Sequence, residues 1–336
     1  MFLLVLVSRK HPFAFLALIV ALVAYAPPHE RPSRSHHPNP RHHHPNMPSQ
    51  RWVFKAQHGF FTHDSDPESW DFRATTLPFL GISPRQYTTD PAFDPSGEKT
   101  QWQRLEHFVR AMNAANPAQQ RWRIIYLIRH GEGVHNVKEK EVGRAEWGRH
   151  WAKVCGDGSA IWEDAELTSE GVQQAEKIAM LFRTGEVPLP DVIFSSPLRR
   201  CLRTTEIVYG DVLGRRRRVV KEKLRERLGV HTCDRRSGRS YIASAYPAFE
   251  IEDGFTEEDE LWKADVRESL DEHIVRATQL LETLFEHEDD GIIMSLTAHS
   301  GAIMALFGAT GWRKIPVAAG AVYPLLVVAE KDYGET

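Results

Sequence analysis

Residues 123–132, Arg-Ile-Ile-Tyr-Leu-Ile-Arg-His-Gly-Glu (RIIYLIRHGE), decide the fold of this chain. The first six form a short, mostly apolar run that is rich in β-branched side chains, and Gly131 bounds it. A run of this kind predicts a strand that is buried on both faces of a parallel sheet. Arg129 and His130 follow the strand directly, where parallel sheets carry their functional side chains.

Strands and helices alternate along the rest of the chain. Asp191–Ser195 (DVIFS) and Gly291–Thr297 (GIIMSLT) are predicted as two further buried strands. Ser196 followed by Pro197 is a typical helix start, and Thr168 is a typical N-cap. Helices are predicted over 102–115, 168–182, 196–208, 270–285 and 300–307. This order predicts a three-layer α/β/α fold with a mostly parallel central sheet.

Composition excludes several classes of protein. The chain has 336 residues, of which 42% are hydrophobic and 26% charged, so a sizeable core can form. A net charge of −3 predicts no bulk attraction to nucleic acid. Cys155, Cys201 and Cys233 are scattered, which argues against a disulfide scaffold and fits a reducing, cytoplasmic compartment. No pair of them has zinc-site spacing, and we predict no metal and no cofactor.

The first fifty residues differ from the rest. Phe13–Ala26 is an unbroken apolar run of 14 residues, shorter than the ~20 that span a membrane, and it suits a signal-peptide core. Alternatively, translation starts at Met47 and the preceding residues are a gene-model extension. A genuine segment over residues 1–26 would make the protein secretory or membrane-anchored, and membrane contact is expected only in that case.

We expect three regions along the chain. Residues 1–50 combine the apolar segment with a Pro- and His-rich tract that cannot build a core. Residues 51–120 are predicted to be a leader, mostly extended chain and turns with one helix, that packs on the main domain. The main domain is expected over residues 121–330.

The ends of the three predicted strands carry related side chains. Arg129 and His130 follow the first strand, Arg199 and Arg200 the second, and His299 with Ser300 the third. These side chains should meet at one edge of the sheet. Guanidinium groups bind phosphate oxygens in pairs, a neutral imidazole can attack phosphorus, and a second imidazole can stabilise the transition-state charge. The pattern predicts a site for a tetrahedral dianion.

Five segments, in this order, resemble the motifs of the histidine phosphatase superfamily, also called the phosphoglycerate mutase-like family. They are Arg129–Glu132 with Asn136, Asp164–Thr168 with Gly171, Gln174 and Ala175, Ser196–Cys201 with Thr204, Leu224–Glu226, and Ala298–Gly301. The resemblance covers roughly residues 121–330. The tripeptide Arg129-His130-Gly131 alone would be weak evidence for this family, but five motifs in the same order are specific to it.

The resemblance implies a role for each matching position. His130 would be the nucleophile that forms a phosphohistidine, and Glu226 the acid that protonates the leaving oxygen and later the base for water. Arg129, Arg200 and His299 would form the pocket, which implies no metal requirement because they supply the positive charge. The implied phosphate-binding set is Arg129, Asn136, Arg200, His299 and Ser300.

The stretch Leu224–Arg239 is similar to a fungal and plant phosphatase-like subgroup. Its basic residues Arg235, Arg236 and Arg239 would then overhang the pocket and contact the rest of an anionic substrate; alternatively, they form a solvated loop.

The expected activity is a phosphatase acting on a small phosphomonoester whose identity the sequence leaves open. A phosphoglycerate mutase-type transfer is the first alternative. Glycolytic mutases usually have Ser and Trp where this chain has Gly133 and His135, which favours the phosphatase. The second alternative is a non-catalytic phosphate-binding module.

Overall fold

A computed structural model describes residues 51–74, 76–210, 214, 216–286 and 291–332 (the described region). The apolar run Phe13–Ala26 and the tract that follows it lie outside this region. No helix in the described region is long and apolar enough to cross a membrane.

A mixed sheet forms the centre of the fold. Its strands are β1 (Arg51–Gln57), β2 (Gln120–Arg129), β3 (Val192–Ser195), β4 (Arg218–Val220), β5 (Glu250–Ile251), β6 (Ile293–Ala298) and β7 (Val322–Asp332). They lie side by side in the order β1-β7-β2-β6-β3-β4-β5. Five neighbouring strands, from β2 to β5 in that order, are parallel, whereas β7 is antiparallel to β2 and β1 to β7. The mostly parallel central sheet of the prediction is thereby confirmed.

Helices cover both faces of the sheet. Successive side chains of a strand point to opposite faces. Ile124, Tyr126 and Ile128 therefore pack on the side of α3 (Gln101–Ala115) and α6 (Ser169–Arg183). Ile125 and Leu127 pack on the side of α9 (Leu270–Glu286) and α10 (Ser300–Ala309). Each such buried side chain contributes about 1.5–3 kcal/mol. The helices are α1 (Trp70–Ala74), α2 (Asp90–Phe93), α3 (Gln101–Ala115), α4 (Val134–Val142), α5 (Arg144–Arg149), α6 (Ser169–Arg183), α7 (Arg199–Tyr209), α8 (Arg239–Ala245), α9 (Leu270–Glu286) and α10 (Ser300–Ala309).

Of the two predicted helix starts, the one at Thr168 is confirmed and the one at Ser196 is wrong. Thr168 is the N-cap of α6, and its hydroxyl oxygen accepts a 3.0 Å hydrogen bond from the backbone N–H of Gly171. The predicted start at Ser196 is wrong, because α7 begins at Arg199 with Leu198 as its N-cap. The Ser196 hydroxyl lies 2.8 Å from Nε2 of His299 instead of capping a helix.

The antiparallel strand β7 helps to position the end of β2. The turn that precedes β7 lies against the first functional residues, where the backbone N–H of Gly320 donates to the carbonyl oxygens of Arg129 and His130 at 3.2 and 3.1 Å. The backbone N–H of His130 donates to Ala298 on the other side, at 3.0 Å. The main chain at the end of β2 is therefore held from both neighbouring strands.

Candidate active site

His130 lies immediately after β2, with its side chain buried. Its Nδ1 is 2.7 Å from the carbonyl oxygen of Gly131. A carbonyl oxygen can only accept a hydrogen bond, so Nδ1 carries the proton and the neutral ring has its lone pair on Nε2. The local backbone therefore selects the tautomer in which Nε2 can act as a nucleophile.

The surroundings keep the ring neutral. Burial lowers the pKa of His130 well below its ordinary value of 6.5, and the nearby positive charges of Arg200 and Arg129 lower it further. The hydrogen bond to Gly131 acts in the opposite direction but does not outweigh them. The His130 ring is thus neutral at neutral pH, with its only ring proton on Nδ1, as attack on phosphorus through Nε2 requires.

Arg200, the second residue of α7, reaches the free nitrogen of His130. Its Nε donates to His130 Nε2 at 3.2 Å, while Nη1 donates to the carbonyl of Cys233 at 2.6 Å and Nη2 to Asp234 Oδ1 at 3.0 Å. Its neighbour Arg199 points elsewhere, because it forms a close ion pair with Glu166. Of the two consecutive arginines, only Arg200 has its guanidinium beside His130.

His299 comes from the end of β6 and faces His130. The ring centroids are 5.0 Å apart, with the ring planes at 61°. The Oγ of Ser196 lies 2.8 Å from His299 Nε2, and the Sγ of Cys201 lies 3.4 Å from the same atom. Burial, followed by the charge of Arg200, lowers the pKa of His299 well below 6.5, so this imidazole too is neutral when no anion is bound.

Glu226 and Arg129 complete the group. The Oε2 of Glu226 accepts a 2.8 Å hydrogen bond from the backbone N–H of Gly301, and Oε1 accepts one of 2.9 Å from the backbone N–H of Arg227. The Arg129 Nη1 donates to the carbonyl of Val317 at 2.7 Å. Burial lowers the pKa of Arg129, and the nearby Glu226 carboxylate opposes this shift. The five side chains from distant segments thus meet at one edge of the sheet.

The other two residues of the expected phosphate-binding set, Asn136 and Ser300, lie in the first turns of α4 and α10. The Oδ1 of Asn136 accepts a 3.0 Å hydrogen bond from the backbone N–H of Gly133 and so caps α4. Ser300 is the half-buried first residue of α10.

The motifs do not predict roles for two further buried side chains near the site. The ring of His135 lies 5.7 Å from that of His130, and its Nδ1 has no hydrogen-bond partner in the described region. Asp234 forms the ion pair with Arg200. The sequence signal for Asp234 is weak, since a single carboxylate among arginines is usually a surface feature.

The arginines of the basic stretch differ in burial, because Arg236 is buried whereas Arg235 and Arg239 are exposed. The Arg236 side chain is buried, and its Nε donates to Glu222 at 2.8 Å while its other nitrogens bind backbone carbonyls. Arg236 therefore stabilises the loop and does not overhang the pocket. Arg235 is exposed and pairs with Glu163 at 3.3 Å.

One cluster in the described region has metal-ligand residue types. The possible ligand atoms of His231, Cys233 and Asp234 lie within 4.8 Å of one another. Two guanidinium groups, of Arg200 and Arg267, already bind the Asp234 carboxylate. Burial and the Asp234 charge raise the pKa of the Cys233 thiol well above its usual value. These positive charges and the protonated thiol oppose the binding of a cation.

Comparison with known proteins gives consistent matches. The family model described as "Histidine phosphatase superfamily (branch 1)" matches residues 125–323. A protein of Arthroderma benhamiae named "Probable phosphoglycerate mutase" is 41% identical over 283 residues, which cover 81% of this chain and 83% of that protein. "Phosphomutase-like protein 3" of Candida albicans is 38% identical over 62% of this chain and 66% of its own length. "Phosphoglycerate mutase-like protein 1" of Arabidopsis thaliana is 32% identical over 54% of this chain and 69% of its own length.

Proposed function

The chain belongs to the histidine phosphatase superfamily, with relatives in fungi and plants, and we propose that it hydrolyses phosphomonoesters without a metal, through a phosphohistidine on His130. One observation carries this proposal. The neutral His130 presents the lone pair of Nε2 to the Nε–H of Arg200, 3.2 Å away, in a group of cationic and imidazole side chains. An incoming phosphate oxygen can replace Nε2 as the acceptor of Arg200 and leave the nucleophile free.

In the first step, phosphate oxygens bind Arg129, Arg200 and His299. The Nε2 lone pair of His130 attacks phosphorus, and the bond from phosphorus to the leaving oxygen breaks. In this proposal Glu226 acts as the general acid and delivers a proton to the leaving oxygen. The arginines stabilise the charge that spreads over the equatorial oxygens in the transition state.

In the second step, water attacks the phosphohistidine. Glu226, now a carboxylate, takes the proton of the water, and the bond between phosphorus and Nε2 breaks. Inorganic phosphate leaves, and His130 returns to its neutral form. The hydrogen bond from Nδ1 to the carbonyl oxygen of Gly131 keeps the proton on Nδ1, so the same tautomer is restored for the next cycle.

A mutase would use the same side chains but return the phosphoryl group to another hydroxyl of the bound ligand. The name of the Arthroderma benhamiae relative favours this second candidate. Gly133 and His135, which replace the usual Ser and Trp of the glycolytic mutases, favour the phosphatase.

Turnover of p-nitrophenyl phosphate by the full chain in excess EDTA tests the proposal. We expect release of inorganic phosphate at an undiminished rate. Loss of activity that returns with added divalent metal would contradict the metal-free mechanism. With 3-phosphoglycerate as substrate, a phosphatase releases inorganic phosphate, whereas a mutase yields an isomeric phosphoglycerate. Binding of phosphate without turnover of any ester would indicate the non-catalytic module.

A further inference from the structure

Every donor nitrogen of Arg200 is engaged in a different direction. Nε points to His130, whereas both terminal nitrogens point away from it, to the carbonyl of Cys233 and the carboxylate of Asp234. Arginine usually binds phosphate with two nitrogens of its fork. Here the two terminal nitrogens, Nη1 and Nη2, already donate hydrogen bonds to the protein. The nitrogen that faces the reacting atoms is therefore Nε.

We propose that Asp234 is a positioning residue for phosphoryl transfer, whose carboxylate fixes Arg200 so that Nε faces the bond that forms at His130. This inference rests on the proposed function. It assigns a role to a side chain that none of the five sequence motifs contains.

Two further arginines, Arg267 and Arg225, hold Asp234 in place through hydrogen bonds. Its Oδ2 accepts a 2.9 Å hydrogen bond from Nη1 of Arg267, and its backbone carbonyl accepts one of 2.7 Å from Nη2 of Arg225. The Arg267 nitrogen also donates to the carbonyl of Gly229 at 2.6 Å. The side chains of Arg200 and Asp234 are only 1% and 4% exposed, so bulk water cannot replace either partner.

Removing the Asp234 charge should change the chemical step more than substrate binding. A buried guanidinium without its carboxylate partner would turn its free terminal nitrogens towards the bound phosphate. The phosphate would still be bound, but the cation would no longer lie beside the forming bond. A misplacement of about 1 Å can cost about 10²-fold in rate.

The Asp234→Asn variant tests this role in the full chain. An amide has one acceptor oxygen and no charge, so it cannot satisfy both Arg200 and Arg267. We expect kcat for p-nitrophenyl phosphate to fall about 10²-fold, with KM changed much less. Asp94→Asn is the matched control, since the Asp94 side chain is only 2% exposed, lies 3.9 Å from Arg104 and belongs to the segment before β2. The control should keep kcat; an equal fall in both variants, or an unchanged kcat in Asp234→Asn, would overturn the proposal.

A structure of the wild-type protein with orthovanadate tests the same inference without a variant. Arg200 should keep its Nη2 contact to Asp234 and approach vanadate through Nε. A guanidinium turned away from Asp234 in that complex would overturn the proposal, even if Asp234→Asn failed to fold. Absence of any turnover by the wild type would instead contradict the proposed function, so the two failures are distinguishable.

Discussion

Glu226 lies against the start of α10, where its Oε2 accepts a 2.8 Å hydrogen bond from the backbone N–H of Gly301. Gly301 is the second residue after His299, and the charge of the same carboxylate acts on Arg129. A β-carbon at position 301 would overlap Oε1 of Glu226. The proposed proton donor is therefore positioned by a helix N-terminus that only glycine leaves open.

Replacing Glu226 with Gln should slow departure of the leaving group. Because the amide has no acidic proton to transfer, we expect kcat to fall by about 10²–10⁴-fold for phosphate esters with poor leaving groups. Esters with good leaving groups need little protonation and should be affected much less. A series of aryl phosphates with leaving groups of different pKa measures this, and the slope of log kcat against leaving-group pKa should steepen. A uniform fall across the series would exclude Glu226 as the acid.

Gly301→Ala should displace the same carboxyl group without removing it. We expect about a 10²-fold fall in kcat for poor leaving groups, because the acid moves out of reach of the leaving oxygen. Gly148→Ala is the matched control, since Gly148 lies within α5 and a β-carbon there would meet nothing within 4 Å. Thermal unfolding of both variants separates a local displacement from a loss of fold. Wild-type kinetics in Gly301→Ala would show that the position of Glu226 is unimportant.

Activity should persist in mild acid. The nucleophile must be neutral, and burial together with Arg200 and Arg129 lowers the pKa of His130 well below 6.5. The acid limb of kcat/KM, which reports the free enzyme, should therefore lie well below pH 6.5. Phenyl phosphate hydrolysis measured between pH 5 and 8, corrected for ionisation of the substrate, tests this. An acid limb centred at pH 6.5 or above would mean that His130 is not held neutral.

Stability should fall in the same pH range. The pKa of His63 is about 3 in the folded protein, mainly because burial disfavours its charged form, against 6.5 unfolded. Between these values the unfolded chain binds more protons, so the free energy of unfolding decreases as pH falls below about 6.5. For His63 alone the decrease is about 2 kcal/mol between pH 6.5 and pH 5. Burial lowers the pKa in the same direction for His130, His135, His231, His273 and His299.

Urea unfolding at pH 6.5 and pH 5 measures this effect. The midpoint should move to lower urea at pH 5, and His63→Phe should reduce the change by the contribution of that one imidazole. Equal midpoints at the two pH values would contradict the account of the buried histidines.

The strands that carry the site could be predicted from local pattern. Apolar runs at 123–128 and 291–297 predict β2 and β6 because strands buried on both faces need continuous apolar side chains. The sequence does not predict the edge strand Arg51–Gln57, because it pairs only with β7, far away in sequence, and a short run of alternating residues does not identify its partner.

The candidate site could be predicted only where a motif marks it. His130 and His299 follow apolar strands, and parallel strands bring such ends together. Asp234 could not be predicted, since its role depends on Arg200 and Arg267 reaching it from distant segments. The buried position of Arg236 could not be predicted for the same reason, because its partner Glu222 becomes a neighbour only after folding.

Trapping the phosphoenzyme tests the central claim most directly. The full chain is mixed with ³²P-labelled p-nitrophenyl phosphate and quenched in alkali within a turnover, and the labelled residue is identified by peptide mapping. We predict an alkali-stable, acid-labile label on His130, which is absent in His130→Ala and retained in His135→Ala, the variant that removes the neighbouring buried imidazole. Turnover with no label on His130, or wild-type turnover by His130→Ala, would contradict the account.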